Sequence, residues 1–522
     1  MKFKLISVIT LMLMSTLACH SQKKMKGNNA ASNAKPNILF ILVDDFGWRD
    51  IAGTGSDFYE TPNMDKLIGQ GMNFTQAYSS YPRCVPSRYS IMTGQHPARV
   101  NTEKGESGFK VEESSETIGK VMHDAGYFTF YLGKWHLGGE EHEPKNVGFD
   151  LSVAAGGAGA TASHFAPYNV DKSGRQPKED PIQDLDDAPE GENLEDRLTD
   201  ETIKILKANK DKTFFGILAH YAVHTPIQGK AEYIQYFKEK LKKNPPKTGP
   251  AYEPESAGDN KLKQDHATYA AMIKAVDDGI GKIMKTLEEE GLDKNTIIIL
   301  TSDHGGLSAR GNTREVATTN RPLRAGKGHL YEGGIRVPLF VKWNGVINPG
   351  SSSNAPIFGA DHYQTVLDIA GGKVPQDRIE DGKSYLPVLK GGSADMNRTL
   401  YWHNPAPRPK STGDLYSSAI REGDYKLLDF YADGKVELYN LKEDMGEYHN
   451  IAEANPEITA QMMKKLEAWR NDVGAVMKVK PKDTLAGLEA AEANKNAGAK
   501  EKTPAQIKAQ KERMQQRKNA KN

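Results

Sequence analysis

Cysteine is nearly absent from this chain: Cys19 and Cys84 are the two in 522 residues. A fold stapled by several disulfides is thereby excluded. A Cys19–Cys84 bridge would tie a leader to the middle of a motif, so separate roles for the two are the better reading. Net charge is lacking as well. Sixty-nine basic residues oppose 68 acidic ones, leaving +1. No global field argues for nucleic acid, and anion recognition has to come from a local cluster. No internal repeat is visible. The apolar run at residues 5–18, broken only by Ser and Thr, is too short to span a bilayer and reads as a secretory signal.

What is present is ordered along the chain. Met1-Lys2-Phe3-Lys4 gives the leader a basic start, and its end, Thr16-Leu17-Ala18-Cys19, resembles a bacterial lipoprotein cleavage site. Cys19 is then the lipidated first residue of the mature chain, held at a membrane surface by its lipid alone; plain secretion is the alternative. Residues 19–35 are small and polar and read as a flexible tether. Residues 37–43 form a continuous apolar run ending at Asp44-Asp45, the pattern of a buried strand in an α/β protein. Thr61-Pro62 opens a helix with Thr61 as its cap. Helical patterns at 115–125, 195–209 and 266–290 alternate with strands at 127–132, 213–219 and 296–301. Those strands deliver Gly133-Lys134-Trp135-His136, then His220 and His224, then Ser302-Asp303-His304-Gly305-Gly306. Polar residues thus gather past the carboxyl ends of apolar strands, where open α/β sheets place ligand sites.

Short runs at 399–402, 418–420, 425–428 and 436–439, with turns at Gly423-Asp424 and Asp433-Gly434, predict a small antiparallel sheet. A helix follows at 456–473. Residues 479–522 are rich in Lys, Ala, Gln and Asn and read as a largely disordered basic tail.

The most informative stretch is Cys84-Val85-Pro86-Ser87-Arg88, completed by Thr93-Gly94. Pro86 disfavours helix at Val85 and fits the first turn of a helix starting after Cys84. Residue 84 then lies at a positive helix end, suited to an anion; a buried free thiol is the plain alternative. A single Asp is most often a turn residue, but acidic groups at two strand ends, Asp44-Asp45 and Asp303-His304, point to a metal.

This set resembles the type I sulfatases. The resemblance covers residues 36–475 and implies an α/β, alkaline-phosphatase-like fold. A large mixed sheet flanked by helices would form a catalytic domain over 36–390. A small α+β subdomain with an antiparallel sheet and a helix would follow over 391–478. In that family the motif Cys is oxidised to formylglycine by a formylglycine-generating or anaerobic sulfatase-maturing enzyme, which reads Ser87 with the rest of the motif. The hydrated aldehyde attacks sulfur with one hydroxyl, and the second collapses to expel sulfate. By the same resemblance Arg88 bonds the hydrate, Lys134 binds sulfate, and His136 is the base for collapse. His224 contacts sulfate and protonates the leaving oxygen, and Lys327 holds the bridging or a sulfate oxygen. The metal ligands would be Asp44, Asp45, Asp303 and His304 with an oxygen of residue 84 in place of the Cys84 thiol. Carboxylates suit Ca²⁺; His304 stands where the family often has Asn, and Mg²⁺ is the alternative ion. His220 and Arg336 read as structural. Arg310, Arg314, Arg321 and Arg324 lie in a long irregular segment and could contact further carboxylates or sulfates of a polymer, with Arg321 and Arg324 the leading candidates and an ordinary solvated loop the alternative.

The expected activity is hydrolysis of sulfate esters on a sulfated carbohydrate, with ulvan or carrageenan fragments first and glycosaminoglycan fragments next. The expected location is the periplasm or the outer-membrane surface. The rivals are a phosphate or phosphonate ester hydrolase of the same superfold and a non-catalytic glycan-binding surface lipoprotein.

Overall fold

The computed structural model describes residues 35–498 apart from 101–107, 113–114, 172, 176–181 and 374–377. The leader, Cys19 and nearly all of the tether lie outside the described residues, as does the tail from 499. Pro36 opens one compact unit. Among the described residues no helix is long and apolar enough to cross a membrane.

The central strand is Asn37–Val43. Side chains alternate across a strand, and here both faces are covered. Ile38, Phe40 and Leu42 join one apolar cluster, while Leu39, Ile41 and Val43 join another. Burial on both sides is why the run is continuously apolar. Helices Cys84–Thr93, Ile118–Asp124 and Asp361–Ile369 contribute to the first cluster. Helices Pro62–Gln70, Leu194–Ala208 and Ala267–Glu289 contribute to the second.

Eight strands form the main sheet in the order Ser351–Ser353, Met72–Phe74, Leu339–Trp343, Thr296–Ser302, Asn37–Val43, Phe214–Ala219, Phe128–Gly133, Leu151–Val153. The last five of these pair in parallel. Leu339–Trp343 is antiparallel to both its neighbours, so the sheet is mixed. Register sets the site: Val43 pairs with Ser302, and Ala219 pairs with both Leu42 and Gly133. Asp44, Asp303, His220 and Lys134 therefore leave the sheet at one level. Gly133 makes that exit with φ +86°, and a Cβ there would collide with the Ala219 carbonyl oxygen, so the position needs glycine.

A second, four-stranded antiparallel sheet runs in chain order through Thr399–Asn404, Ser417–Glu422, Tyr425–Phe430 and Lys435–Asn440. Ile420, Leu427 and Leu438 face Met462 and Leu466 of helix Pro456–Asp472. The opposite face, with Trp402, Ala419 and Leu428, packs against Tyr78, Leu330 and Phe358.

Several features depart from the sequence reading: Thr61 precedes helix Pro62–Gln70 without a side-chain capping hydrogen bond, and helices Ala231–Lys243 and Asp361–Ile369 were not expected. Residues 252–261, where no element was expected, form a hairpin of Tyr252–Glu255 and Gly258–Lys261 joined by Ala309–Arg310. The segment after 480, expected to be disordered, carries the helix Leu485–Gly498 up to the last described residue. Its LAGLEAAEA stretch is rich in strong helix formers. It is also anchored: Lys480 N–H donates to Tyr416 Oη at 3.0 Å, Leu485 N–H to Asp433 Oδ1 at 3.2 Å, and Leu485 packs on the apolar face of the second sheet.

Candidate active site

Cys84 opens the helix Cys84–Thr93, preceded by the extended residue Arg83. Pro86 sits in the first turn, where its missing N–H costs no intrahelical bond. The thiol is buried. Its Sγ lies 3.4 Å from Asp44 Oδ1, 3.8 Å from Asp45 Oδ1, 3.2 Å from His304 Nε2 and 3.5 Å from Lys327 Nζ. Burial, then the Asp44 charge, pushes the thiol pKa up despite Lys134 and Lys327. An unmodified Cys84 is therefore a neutral, poorly nucleophilic thiol at neutral pH.

Three carboxylates and three cations enclose it. Lys134 Nζ pairs with Asp44 Oδ2. Arg88 lies 2.9 Å from Asp303 Oδ2 and 3.5 Å from Asp44 Oδ1, and its Nη1 donates to the Lys134 carbonyl at 2.6 Å. Lys327 Nζ donates to Asp45 Oδ1 at 2.5 Å. The backbone ties the strand ends together. Asp44 N–H donates to the Ala222 carbonyl at 3.0 Å, and Val223 N–H returns to the Asp44 carbonyl at 2.8 Å. Asp45 N–H donates to Asp303 Oδ1 at 3.2 Å, and Ser87 Oγ donates to the Asp303 carbonyl at 2.5 Å.

These pairings set the charges. Burial alone would raise Asp44, but Lys134, His224, Arg88 and Lys327 together hold it well below the usual carboxylate range. Burial likewise opposes ionisation of Asp45, yet Lys327 and His224 bring it down to about 2. Asp303 is pushed up by burial and by the Asp44 charge, only partly offset by His304 and Arg88.

A divalent cation fits this donor set. His304 Nδ1 lies 3.0 Å from the Gly305 carbonyl, which can only accept, so Nδ1 carries the hydrogen. Nε2 lies 3.2 Å from Cys84 Sγ, 3.3 Å from Asp45 Oδ1 and 3.6 Å from Asp303 Oδ1. Asp45 Oδ2 is buried with no hydrogen-bond partner. A buried carboxylate oxygen without a partner, among converging carboxylates and an imidazole, suits a positive ion. The ligand atoms of Asp44, Cys84, Asp303 and His304 all lie within 4.8 Å of one another, as do those of Asp44, Asp45, Cys84 and His224.

Both remaining histidines stand at this centre. The pKa of His224 is lowered to about 4 by burial and then by Lys327 and Lys134. His136, at φ +63°, is held well below its ordinary value by burial and then by Lys134 and Arg88. Its Nδ1 is buried without a protein partner.

Some supporting residues carried no signal in the sequence. Glu195 accepts from His220 Nδ1 at 2.5 Å and from Ala222 N–H at 2.9 Å, fixing the turn that leads to His224. His164 Nε2 donates to the His224 carbonyl at 3.3 Å. Asp414 holds Arg83, next to Cys84, at 2.7 and 2.8 Å. These partners are far apart in sequence, and each alone reads as an ordinary polar residue.

Arg324 and Arg321, candidates from the sequence, both pair with acids of the small hairpin. Arg324 donates to both oxygens of Glu255 at 2.7 and 3.0 Å, to Tyr439 Oη and to the Glu447 carbonyl, and its guanidinium lies 3.9 Å over the Tyr331 ring. Its donors are taken, so it is a strut between the small hairpin and the second sheet. Arg321 pairs with Glu253.

The comparisons with known proteins agree with this geometry. The Sulfatase family model matches residues 36–372, and a model for the C-terminal part of N-sulphoglucosamine sulphohydrolase matches residues 325–472. A protein named sulfatase from Formosa agariphila is 29% identical, covering 90% of this chain and 93% of its own length. N-acetylgalactosamine-6-sulfatase of Mus musculus is 29% identical over 72% of this chain and 70% of its own. The crystal structure of Ps i-CgsB, also solved in complex with k-i-k-neocarrahexaose, superimposes with a TM-score of 0.67 at 27% identity, covering 90% of this chain and 98% of that one. The motif around Cys84, the acidic strand ends it meets in space and these likenesses lead to one assignment: the chain belongs to the Sulfatase family and is a sulfuric ester hydrolase.

Proposed function

We propose that this protein removes sulfate from sulfated carbohydrate, with oligosaccharides of marine polysaccharides such as carrageenan or ulvan as leading substrates and glycosaminoglycan fragments next. The observation that carries the reading is the convergence of Arg88, Lys134 and Lys327 on Asp44, Asp45 and Asp303 around the side chain of residue 84. The neighbour holding a carrageenan-type hexaose supports the choice of sugar.

Formylglycine at position 84, as its hydrate, would supply the oxygen that attacks sulfur and the carbonyl that re-forms as sulfate leaves. A divalent ion, Ca²⁺ by the preponderance of carboxylates with Mg²⁺ as the alternative, would be held by Asp44, Asp45, Asp303 and His304 and would offset the sulfate charge. The chain's own groups do the rest. Lys134 and Lys327, each paired with one carboxylate, would turn to the sulfate oxygens. Arg88, fixed by Asp303 and the Lys134 carbonyl, holds the side chain of residue 84. His224 protonates the leaving alcohol oxygen. Lys327 and Lys134 depress its pKa, and an anion bound on those two cations relieves that depression, so substrate itself raises the acid toward its working range. His136, neutral and bare at Nδ1, takes up the proton released with sulfate.

Export by the leader, lipidation at Cys19 and a periplasmic or outer-membrane location belong to the same proposal and rest on the sequence alone.

The deciding experiment is mass spectrometry of the peptide containing residue 84 after co-expression with a maturing enzyme. We expect loss of SH₂ and gain of O, with turnover of a sulfate ester tracking the converted fraction. Full activity with a plain thiol at position 84, or a preference for phosphate or phosphonate esters over sulfate esters, would overturn the reading.

A further inference from the structure

The segment between strand Thr296–Ser302 and helix Glu332–Ile335 carries four arginines ahead of Lys327. Three are neutralised by acids of one hairpin: Arg310 by Asp259, Arg321 by Glu253 and Arg324 by Glu255. Arg314 differs. Among the described residues no carboxylate lies within ion-pair distance of it, and its Nε, like that of Arg321, is buried with no hydrogen-bond partner.

Its backbone is nonetheless fixed. Arg314 N–H donates to Asn312 Oδ1 at 2.9 Å, and its carbonyl accepts from Arg310 Nη1 at 2.9 Å. Gly311 N–H donates to the Ser411 carbonyl at 2.9 Å, and Asn312 Nδ2 to the Lys410 carbonyl at 3.2 Å. That partner segment also supplies Thr412 and Asp414, which hold Arg83 beside Cys84. The loop is thus moored to the wall of the catalytic pocket. Burial lowers the Arg314 pKa, with smaller effects of Asp45 and Arg83 that accord with this mooring. A partly desolvated guanidinium without a counterion is costly. Its planar fork matches carboxylate and sulfate oxygens.

We propose that Arg314 is a specificity-determining residue that binds a second anionic group, a sulfate or a carboxylate, on the same glycan that carries the scissile sulfate. The inference rests on the proposed function. It makes the site one for polyanionic sugars rather than for singly sulfated ones.

The test is calorimetric binding to the full chain with Ca²⁺, in a Cys84→Ala background that cannot turn over. Three disaccharides share one sulfate: the first has nothing more, the second adds a sulfate, the third a uronic carboxylate. We expect the added anion to tighten binding about tenfold or more, as a charge-assisted hydrogen bond does. Which of the two added groups does so identifies the anion. Arg314→Ala should abolish that gain and Arg314→Lys should keep part of it. No gain from either added anion, or a gain that survives Arg314→Ala, overturns the inference. So does a large fall in melting temperature in Arg314→Ala, which would mark a structural role. Turnover of an aryl sulfate by the matured protein is read separately, so failure of the sulfatase reading and failure of this one are distinguishable.

Discussion

Lys327 and Asp45 lie 282 residues apart in the chain and meet at 2.5 Å beside Cys84. With Lys134 on Asp44 and Arg88 on Asp303, the pair closes a balance of three cations against three carboxylates. In the proposed reaction, charge for the incoming sulfate would come from re-pointing Lys327 and Lys134 together with the divalent ion.

Replacing Lys327 by Ala should lower kcat of the matured enzyme by about 10²–10³, the cost of one preorganised charge at a developing anion. Lys327→Arg should recover little, because the planar fork does not fit a pocket shaped for a point charge. Steady-state kinetics on an aryl sulfate decide this; a loss below threefold in Lys327→Ala would refute it.

Chelation should separate activity from folding. Stripping the divalent ion removes turnover, while the three internal ion pairs keep the buried carboxylates neutralised. The expected outcome is near-complete loss of activity with a melting temperature shifted by only a few degrees, and recovery on adding Ca²⁺. Collapse of the fold on chelation would show that the cations do not balance the site.

Arg324→Ala should act on stability instead. Removing it leaves Glu255 buried without its counterion, which costs about 3 kcal/mol. Thermal unfolding should move down, with kcat/KM of the folded fraction within twofold of the parent. A selective loss of kcat/KM on polyanionic substrates with unchanged melting would return Arg324 to the substrate.

Acid should destabilise the protein through buried histidines. Burial, first of all, lowers His96, His362 and His403 from 6.5 to about 4 in the folded chain. Between those values the unfolded chain binds the protons and the folded one does not, so stability falls as pH drops from about 6.5 toward 4. His362→Gln should flatten that slope in pH-dependent melting. An unchanged slope would mean that His362 does not contribute.

The framework was readable because each central strand is covered on both sides, which forces an apolar run with polar residues at its end. Cys84, Asp44-Asp45 and Asp303-His304 were readable because their chemistry is rare in that spacing. The hairpin at 252–261 was hidden by its own sequence: YEPE and GDNK are polar, contain Pro254 and have poor strand propensity. Its acids decide which arginines are free, so Arg321, Arg324 and Arg314 could not be told apart beforehand. Glu195 and His164 were equally hidden, since what they hold is a turn near position 222 assembled only on folding.

Finally, the enclosure of Cys84 bears on the order of events in the maturation proposed for it. Its sulfur is walled in by Asp44, Asp45, His304 and Lys327, groups drawn from both ends of the catalytic region. A catalyst oxidising this side chain would need an extended peptide as its substrate, so the proposed reaction would have to precede folding.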